Sequence, residues 1–210
     1  MFVTLEGIDR SGKTTQAALL AEALGPETLL VREPGGTPLG ERVRELLKDP
    51  GLVLTAGAEL LLFNAARAQL CEEVLGPARD AGRDIVCDRF IDSTVAYQGV
   101  ARELGVDLVE RLSRLVVGGC VPDLTILLRI DPALAEERGR ERASSGERDG
   151  DDRFESEGLE FQRTVAKAYD EIAIRDPERI VTVEAGAEPS VVHERVLAAV
   201  HSREHGAGRL

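Results

Sequence analysis

The octapeptide Gly7-Ile-Asp-Arg-Ser-Gly-Lys-Thr14 matches the spacing G-x-x-x-x-G-K-[ST] at every required position, and it constrains the chain more than any other feature. The pattern needs a buried strand before it and a helix after it. Both are legible: residues 2–6 form an apolar run, and 14–24 carry helical spacing up to a Gly25-Pro26 stop. Glycines let the backbone curl so that successive N–H groups converge on phosphate oxygens. The helix start adds a favourable dipole end. Lys13 then reaches the β- and γ-phosphates, and the Thr14 hydroxyl can ligate Mg2+. Gly7, Ile8, Asp9, Arg10, Ser11, Gly12, Lys13, Thr14 and Thr15 are therefore the candidate nucleotide cradle.

The remaining chain repeats the same alternation. Short apolar runs recur at 28–32, 84–88, 124–130 and 179–183. Between them lie helical patterns at 58–78 and from near Asp107, Pro132, Ser156 and Pro189. Strands alternating with helices predict right-handed crossovers, a mostly parallel sheet, and ligands outside the carboxyl ends of its strands. With 210 residues and no long linker, one domain over 1–210 is expected. Residues 139–152 differ, reading GRERASSGERDGDD, and predict a polar loop or lid of about 139–153. Asp152 and Glu155 have capping-box spacing for the next helix, and the tail at 202–210 is expected to fray.

Composition removes several classes. The formal net charge of −12 argues against coating DNA, RNA or an anionic membrane, which requires a basic surface. It leaves room for a small phosphorylated ligand in a local basic pocket. Of the 26 basic residues, only Lys13, Lys48 and Lys167 are lysines. Cys71, Cys87 and Cys120 are widely spaced and form no disulfide framework, which favours a reducing cytoplasm. His193, His201 and His205 crowd the last stretch of chain, so neither a zinc site nor a histidine-based triad is indicated. No apolar run approaches membrane-spanning length.

Five blocks narrow the class: EGIDRSGKTT at 6–15, REPGGT at 32–37, LLFNAARAQL at 61–70, DRFIDSTVAYQG at 88–99 and PDLTILL at 122–128, with DDRFE following at 151–155. In this order they resemble the thymidylate kinases, which transfer the γ-phosphoryl group of ATP to dTMP. The resemblance implies a P-loop NTPase fold: a five-stranded parallel sheet flanked by helices on both faces, with a short arginine-bearing lid. It also implies Mg2+ with ATP as co-substrate, and a homodimer. Two other readings remain: a phosphate-loop kinase for a different monophosphate, or a regulatory nucleotide-binding module without kinase activity.

The residues carry the following expectations. Asp9 is either an exposed loop acid or, by resemblance, the partner of the deoxyribose 3′-hydroxyl. Glu33 opens the EPGGT turn and is either part of that turn or part of the site. Phe63 and Arg67 lie four apart and share a helix face. Such a pair commonly packs; by resemblance Phe63 stacks on thymine and Arg67 reads its carbonyl edge. Asp88 ends the third apolar run, where a Mg2+ or water ligand belongs. It joins Thr14 as the metal candidate, with a surface ion pair to Arg89 as the plain alternative.

The resemblance further implies that Arg89 and Arg44 clamp the dTMP phosphate and that Ser93, Thr94 and Gln98 contact base and phosphate. Tyr97 would crowd the sugar 2′ position, or else sit in the core. Lid arginines in such kinases close over ATP, with Arg153 the first candidate, Arg148 the second, and Arg138, Arg140 and Arg142 leading in. Bacterial members often have Gly where this chain has Arg10, so Arg10 and Arg153 are expected to share the transition-state charge.

Overall fold

A computed structural model describes residues 1–144, 153–154 and 157–207. Five strands form one parallel sheet: β1 (Phe2–Glu6), β2 (Leu29–Arg32), β3 (Ile85–Asp88), β4 (Leu124–Arg129) and β5 (Ile180–Glu184). Their order is β2-β3-β1-β4-β5. The chain thus winds first to one side of β1 and then to the other. The resulting crevice opens at the carboxyl ends of β1 and its neighbours β3 and β4, where doubly wound sheets hold ligands. The register sets Leu5 beside Asp88 and Glu6 beside Leu127, so the end of β1 faces the end of β3.

The buried strands read as almost continuous apolar runs because helices cover both sheet faces. Val3, Leu5 and Val86 join a core with Ala17 and Leu20 of α1 (Lys13–Leu24) and with Val196 and Val200 of α9 (Pro189–Ala207). Phe2, Ile85 and Cys87 alternate into a second core with Leu70 of α3 (Ala56–Leu70) and with Leu75. A third, smaller cluster joins Val43 and Leu47 of α2 (Pro38–Lys48) to Ala66 of α3. Among the described residues no helix is long and apolar enough to cross a membrane.

Several element boundaries depart from the sequence reading. The helical pattern at 58–78 resolves into α3, a π-helical stretch (Cys71–Leu75) and α4 (Gly76–Asp80). Pro77 enters at the start of α4, where its missing N–H costs least. A helix after β3 was not expected: α5 (Ile91–Thr94) continues as a π-helical stretch (Val95–Ala101). The next helix is α6 (Val106–Val117).

After β4, α7 (Pro132–Ser144) runs on through residues 139–144, which had been expected to be loop. Arg and Glu are good helix formers, and an Arg140–Glu136 ion pair at 2.5 Å, one turn apart, supports the extension. Helix α8 (Gly158–Arg175) follows. Helix α9 reaches Ala207, into the stretch expected to fray. Arg148, most of the expected lid, and the Asp152/Glu155 capping box lie outside the described residues.

Candidate active site

The loop from Gly7 to Gly12 connects β1 to α1 and is buried or half-buried over most of its length. Gly7 has φ 139°, and a Cβ there would stand 2.5 Å from the Leu128 carbonyl oxygen. Only glycine lets the loop lie this close to β4. Lys13 folds back into the loop, donating to the Ile8 carbonyl at 2.6 Å and to Ser11 Oγ at 3.4 Å. Burial, then the like charge of Arg89, pulls its ammonium down to about pKa 8, against the raising effect of Asp9, Asp88 and Glu6.

At the first turn of α1, the Thr14 hydroxyl donates to Asp88 Oδ2 at 2.6 Å. The helix start and the end of β3 thus bring together one hydroxyl and one carboxylate. Such a hard-oxygen pair fits Mg2+, which takes few protein ligands and keeps waters and substrate phosphates. Thr15, the next residue, is exposed.

Arg89 holds the centre. It adopts φ 70°, a left-handed conformation that costs a non-glycine residue energy. Its guanidinium forms an ion pair with Asp9. It also donates to the Gly7 carbonyl (3.1 Å), Ser93 Oγ (3.1 Å), Tyr169 OH (3.4 Å) and Tyr97 OH (3.3 Å). Burial raises the Asp9 pKa, but Arg89 and then Lys13 outweigh it and leave the carboxyl below its usual range. Gln162 of α8 completes Asp9, donating to Oδ2 at 2.8 Å and accepting from its N–H at 3.3 Å. Asp9 is therefore neither unpartnered nor merely a loop acid.

On the other side of the crevice, Arg67 is buried in α3. It pairs with Glu33 Oε2 at 2.7 Å and donates to the Phe90 carbonyl (3.1 Å) and Thr94 Oγ1 (2.9 Å). Its Nη1 and the Glu33 Oε1 are buried without a partner. Burial raises the Glu33 pKa, against the attraction of Arg67. Arg44 of α2 donates to the Pro34 carbonyl at 3.2 Å, tying α2 to the EPGGT turn.

Phe63 packs on Phe154, with ring centroids 5.9 Å apart. Tyr97 is at once core and site: its ring contacts Phe154, Phe161 and Tyr169, while its hydroxyl faces Arg89.

Two expected site residues pair with Glu59 of α3. Gln98 is buried, and its amide donates to Glu59 Oε1 at 2.7 Å. Arg153 is seated against α2 and α3 rather than on the phosphate loop. It pairs with Glu59 Oε2 at 2.7 Å and donates to the Leu47 carbonyl at 3.1 Å. Glu59 is almost wholly buried and also receives Arg102, so it draws in any cation within reach. Arg138 donates to the Ala185 and Ala187 carbonyls at 3.0 and 3.1 Å, and Arg140 pairs within α7.

Arg10 has φ 63° and lies over Gly139 of α7, where a Cβ would collide with its guanidinium. The sequence reading missed Glu6, Glu59, Gln162 and Tyr169. A carboxylate ending an otherwise apolar strand was the legible signal for Glu6; the others are joined to the site only by folding.

A phosphate loop at the switch point of a parallel sheet, with the half-buried Arg89 at its mouth and a buried Arg67–Glu33 pair nearby, defines a small phosphate-loop phosphotransferase. The profile of thymidylate kinases matches residues 5–196. The chain is 41% identical over 208 residues to a thymidylate kinase of Deinococcus radiodurans, covering 98% of both chains. It is 46% identical over 211 residues to one from a Synechococcus strain, covering 95% of this chain and 98% of that one. A crystal structure of thymidylate kinase from Ehrlichia chaffeensis superposes with TM-score 0.77 at 33% identity, covering 96% and 98% of the two chains. The chain belongs to the thymidylate kinase family.

Proposed function

We propose that this chain transfers the γ-phosphoryl group of MgATP to dTMP, giving ADP and dTDP. The observation that carries this reading is the position of Arg89. Its guanidinium joins the phosphate loop, through Gly7 and Asp9, to Ser93 and Tyr97 of the stretch after β3. A cation so placed lies between donor and acceptor phosphates and screens their repulsion.

Lys13 and the loop N–H groups hold the β- and γ-phosphates. Thr14 and Asp88 would hold Mg2+, which supplies charge neutralisation at the phosphate oxygens. Arg67 keeps one amino group, Nη1, unused by the protein, and this donor suits a pyrimidine carbonyl. Phe63 offers the flat apolar face, Arg44 a second cation for the acceptor phosphate, and Asp9 an acceptor for the sugar hydroxyl. The acceptor phosphate is already anionic, so no general base is required.

Arg10 is the arginine we assign to the transferring phosphoryl group, since its backbone belongs to the phosphate loop. Arg153, through Glu59, ties the chain at 153–154 to α3. The exposed leucines Leu61 of α3 and Leu108 and Leu115 of α6 lie on neighbouring helices and support a homodimer. Light scattering on the purified chain measures that state.

The reaction is tested by a coupled ADP-release assay with dTMP, dUMP, AMP and CMP as acceptors. Turnover with dTMP well above AMP and CMP is expected. ATP binding without turnover of any of them overturns the reading.

A further inference from the structure

Glu6 has no part in the transfer as described, yet it is fully buried at the end of β1 and its two oxygens receive four donors. Oε1 accepts from the N–H groups of Phe90 (2.8 Å) and Ser93 (3.2 Å). Oε2 accepts from the hydroxyls of Ser93 (2.5 Å) and Tyr169 (2.9 Å). Every partner can donate, so once Glu6 is ionised, above about pH 7, the carboxylate acts as acceptor alone.

The same two hydroxyl oxygens accept from Arg89 Nη1, at 3.1 Å for Ser93 and 3.4 Å for Tyr169. A hydroxyl has one proton. When that proton turns toward Glu6, the lone pairs are left for the guanidinium. The Ser93 and Tyr169 oxygens are also 2.8 Å apart, so one proton can pass between them while the other still ends on Glu6. Polarity therefore runs one way, from Arg89 through two hydroxyls to Glu6. The backbone bonds act on the same corner, because Phe90 directly follows Arg89, whose φ of 70° needs its surroundings to hold it.

We propose that Glu6 is a positioning residue for Arg89. It anchors the backbone after Arg89 through the Phe90 and Ser93 N–H groups and turns the Ser93 and Tyr169 hydroxyls to accept from the guanidinium. The proposal rests on the reading of Arg89 as the clamp between the two phosphates. Glu6 thereby governs how dTMP is held without touching it.

Glu6→Gln keeps the shape but replaces one acceptor oxygen with a donor amide. On one side that amide meets two N–H donors; on the other it forces the hydroxyl protons toward Arg89. The test is steady-state kinetics at about pH 8, varying dTMP and ATP separately, on wild type, Glu6→Gln, Arg89→Ala and the double variant. Glu6→Gln is expected to lower kcat/KM for dTMP by at least about tenfold while the KM for ATP stays within about twofold. In the Arg89→Ala background it is expected to add nothing, since residues acting as a unit are non-additive.

The Ser93→Ala/Tyr169→Phe variant leaves the Glu6 backbone contacts in place and is expected to show the same dTMP-selective defect. It also carries the test if Glu6→Gln does not fold. An unchanged dTMP KM with only a lowered melting temperature makes Glu6 structural and overturns the proposal. So does a Glu6→Gln defect that multiplies with Arg89→Ala, or wild-type kinetics for Ser93→Ala/Tyr169→Phe. Wild-type kcat/KM for dTMP in Arg89→Ala alone overturns the clamp reading, and the proposal with it.

Discussion

Arg67 and Glu33 form a buried ion pair at 2.7 Å that joins helix α3 to the EPGGT turn. Removing the carboxylate strands a buried guanidinium. Glu33→Ala is therefore expected to lower the unfolding free energy by about 3–5 kcal/mol. Urea denaturation measures it, and a loss below about 1 kcal/mol would mean that water or another acceptor already serves Arg67.

Thr14 and Asp88, 2.6 Å apart, are expected to act together on the metal. Asp88→Asn should raise the Mg2+ concentration for half-maximal rate by about 10–100-fold. Excess Mg2+ should restore part of the activity. A magnesium titration at saturating ATP and dTMP reads both, and an unchanged midpoint removes Asp88 from the metal site.

Lys13 titrates at about 8 without nucleotide. Phosphates favour its charged form, so ATP binding near that pH should draw in a fraction of a proton, and affinity should fall as pH rises above about 8. Calorimetry in buffers of different ionisation enthalpy measures the uptake. Binding with no proton uptake would show that Lys13 is already fully charged in the free protein.

Glu6 is raised from 4.5 to about 7, first by burial and then by the charge of Asp92, against Ser93, Arg89 and Tyr169. The native state therefore keeps this proton while the unfolded chain has lost it. Stability from this group is complete below about 4.5 and is lost as pH rises through about 7. The loss is of order 3 kcal/mol. Compared with wild type, Glu6→Gln should show a flatter fall in stability across that window, measured by denaturant unfolding at several pH values. Parallel curves would place the titration elsewhere.

Gly139 and Arg10 make opposite demands on one atom. Gly139→Ala should stabilise α7 by up to about 1 kcal/mol through helix propensity. It should also push the Arg10 guanidinium aside and lower kcat. The kcat loss should vanish in an Arg10→Gly background. A loss that persists there would trace to α7 itself.

The phosphate loop, the five strands and the family were legible because each rests on local pattern. Glycines at fixed spacing, apolar runs bounded by turns, and ordered blocks such as REPGGT and DRFIDSTVAYQG need no knowledge of distant contacts. The fate of Arg153 was not legible. In the sequence it is one of many lid arginines; in the fold a buried Glu59, far away in the chain, offers a stronger partner. Gln98 meets the same carboxylate, a partner no local pattern records.

By itself, then, the sequence determined the fold and the thymidylate kinase family. Tertiary structure decided which charges meet. Asp9 with Arg89, Glu33 with Arg67, and Glu6 with Ser93 and Tyr169 are each far apart in the chain. A buried charge must be matched by whatever group the packing brings near it, and no local pattern records that neighbour.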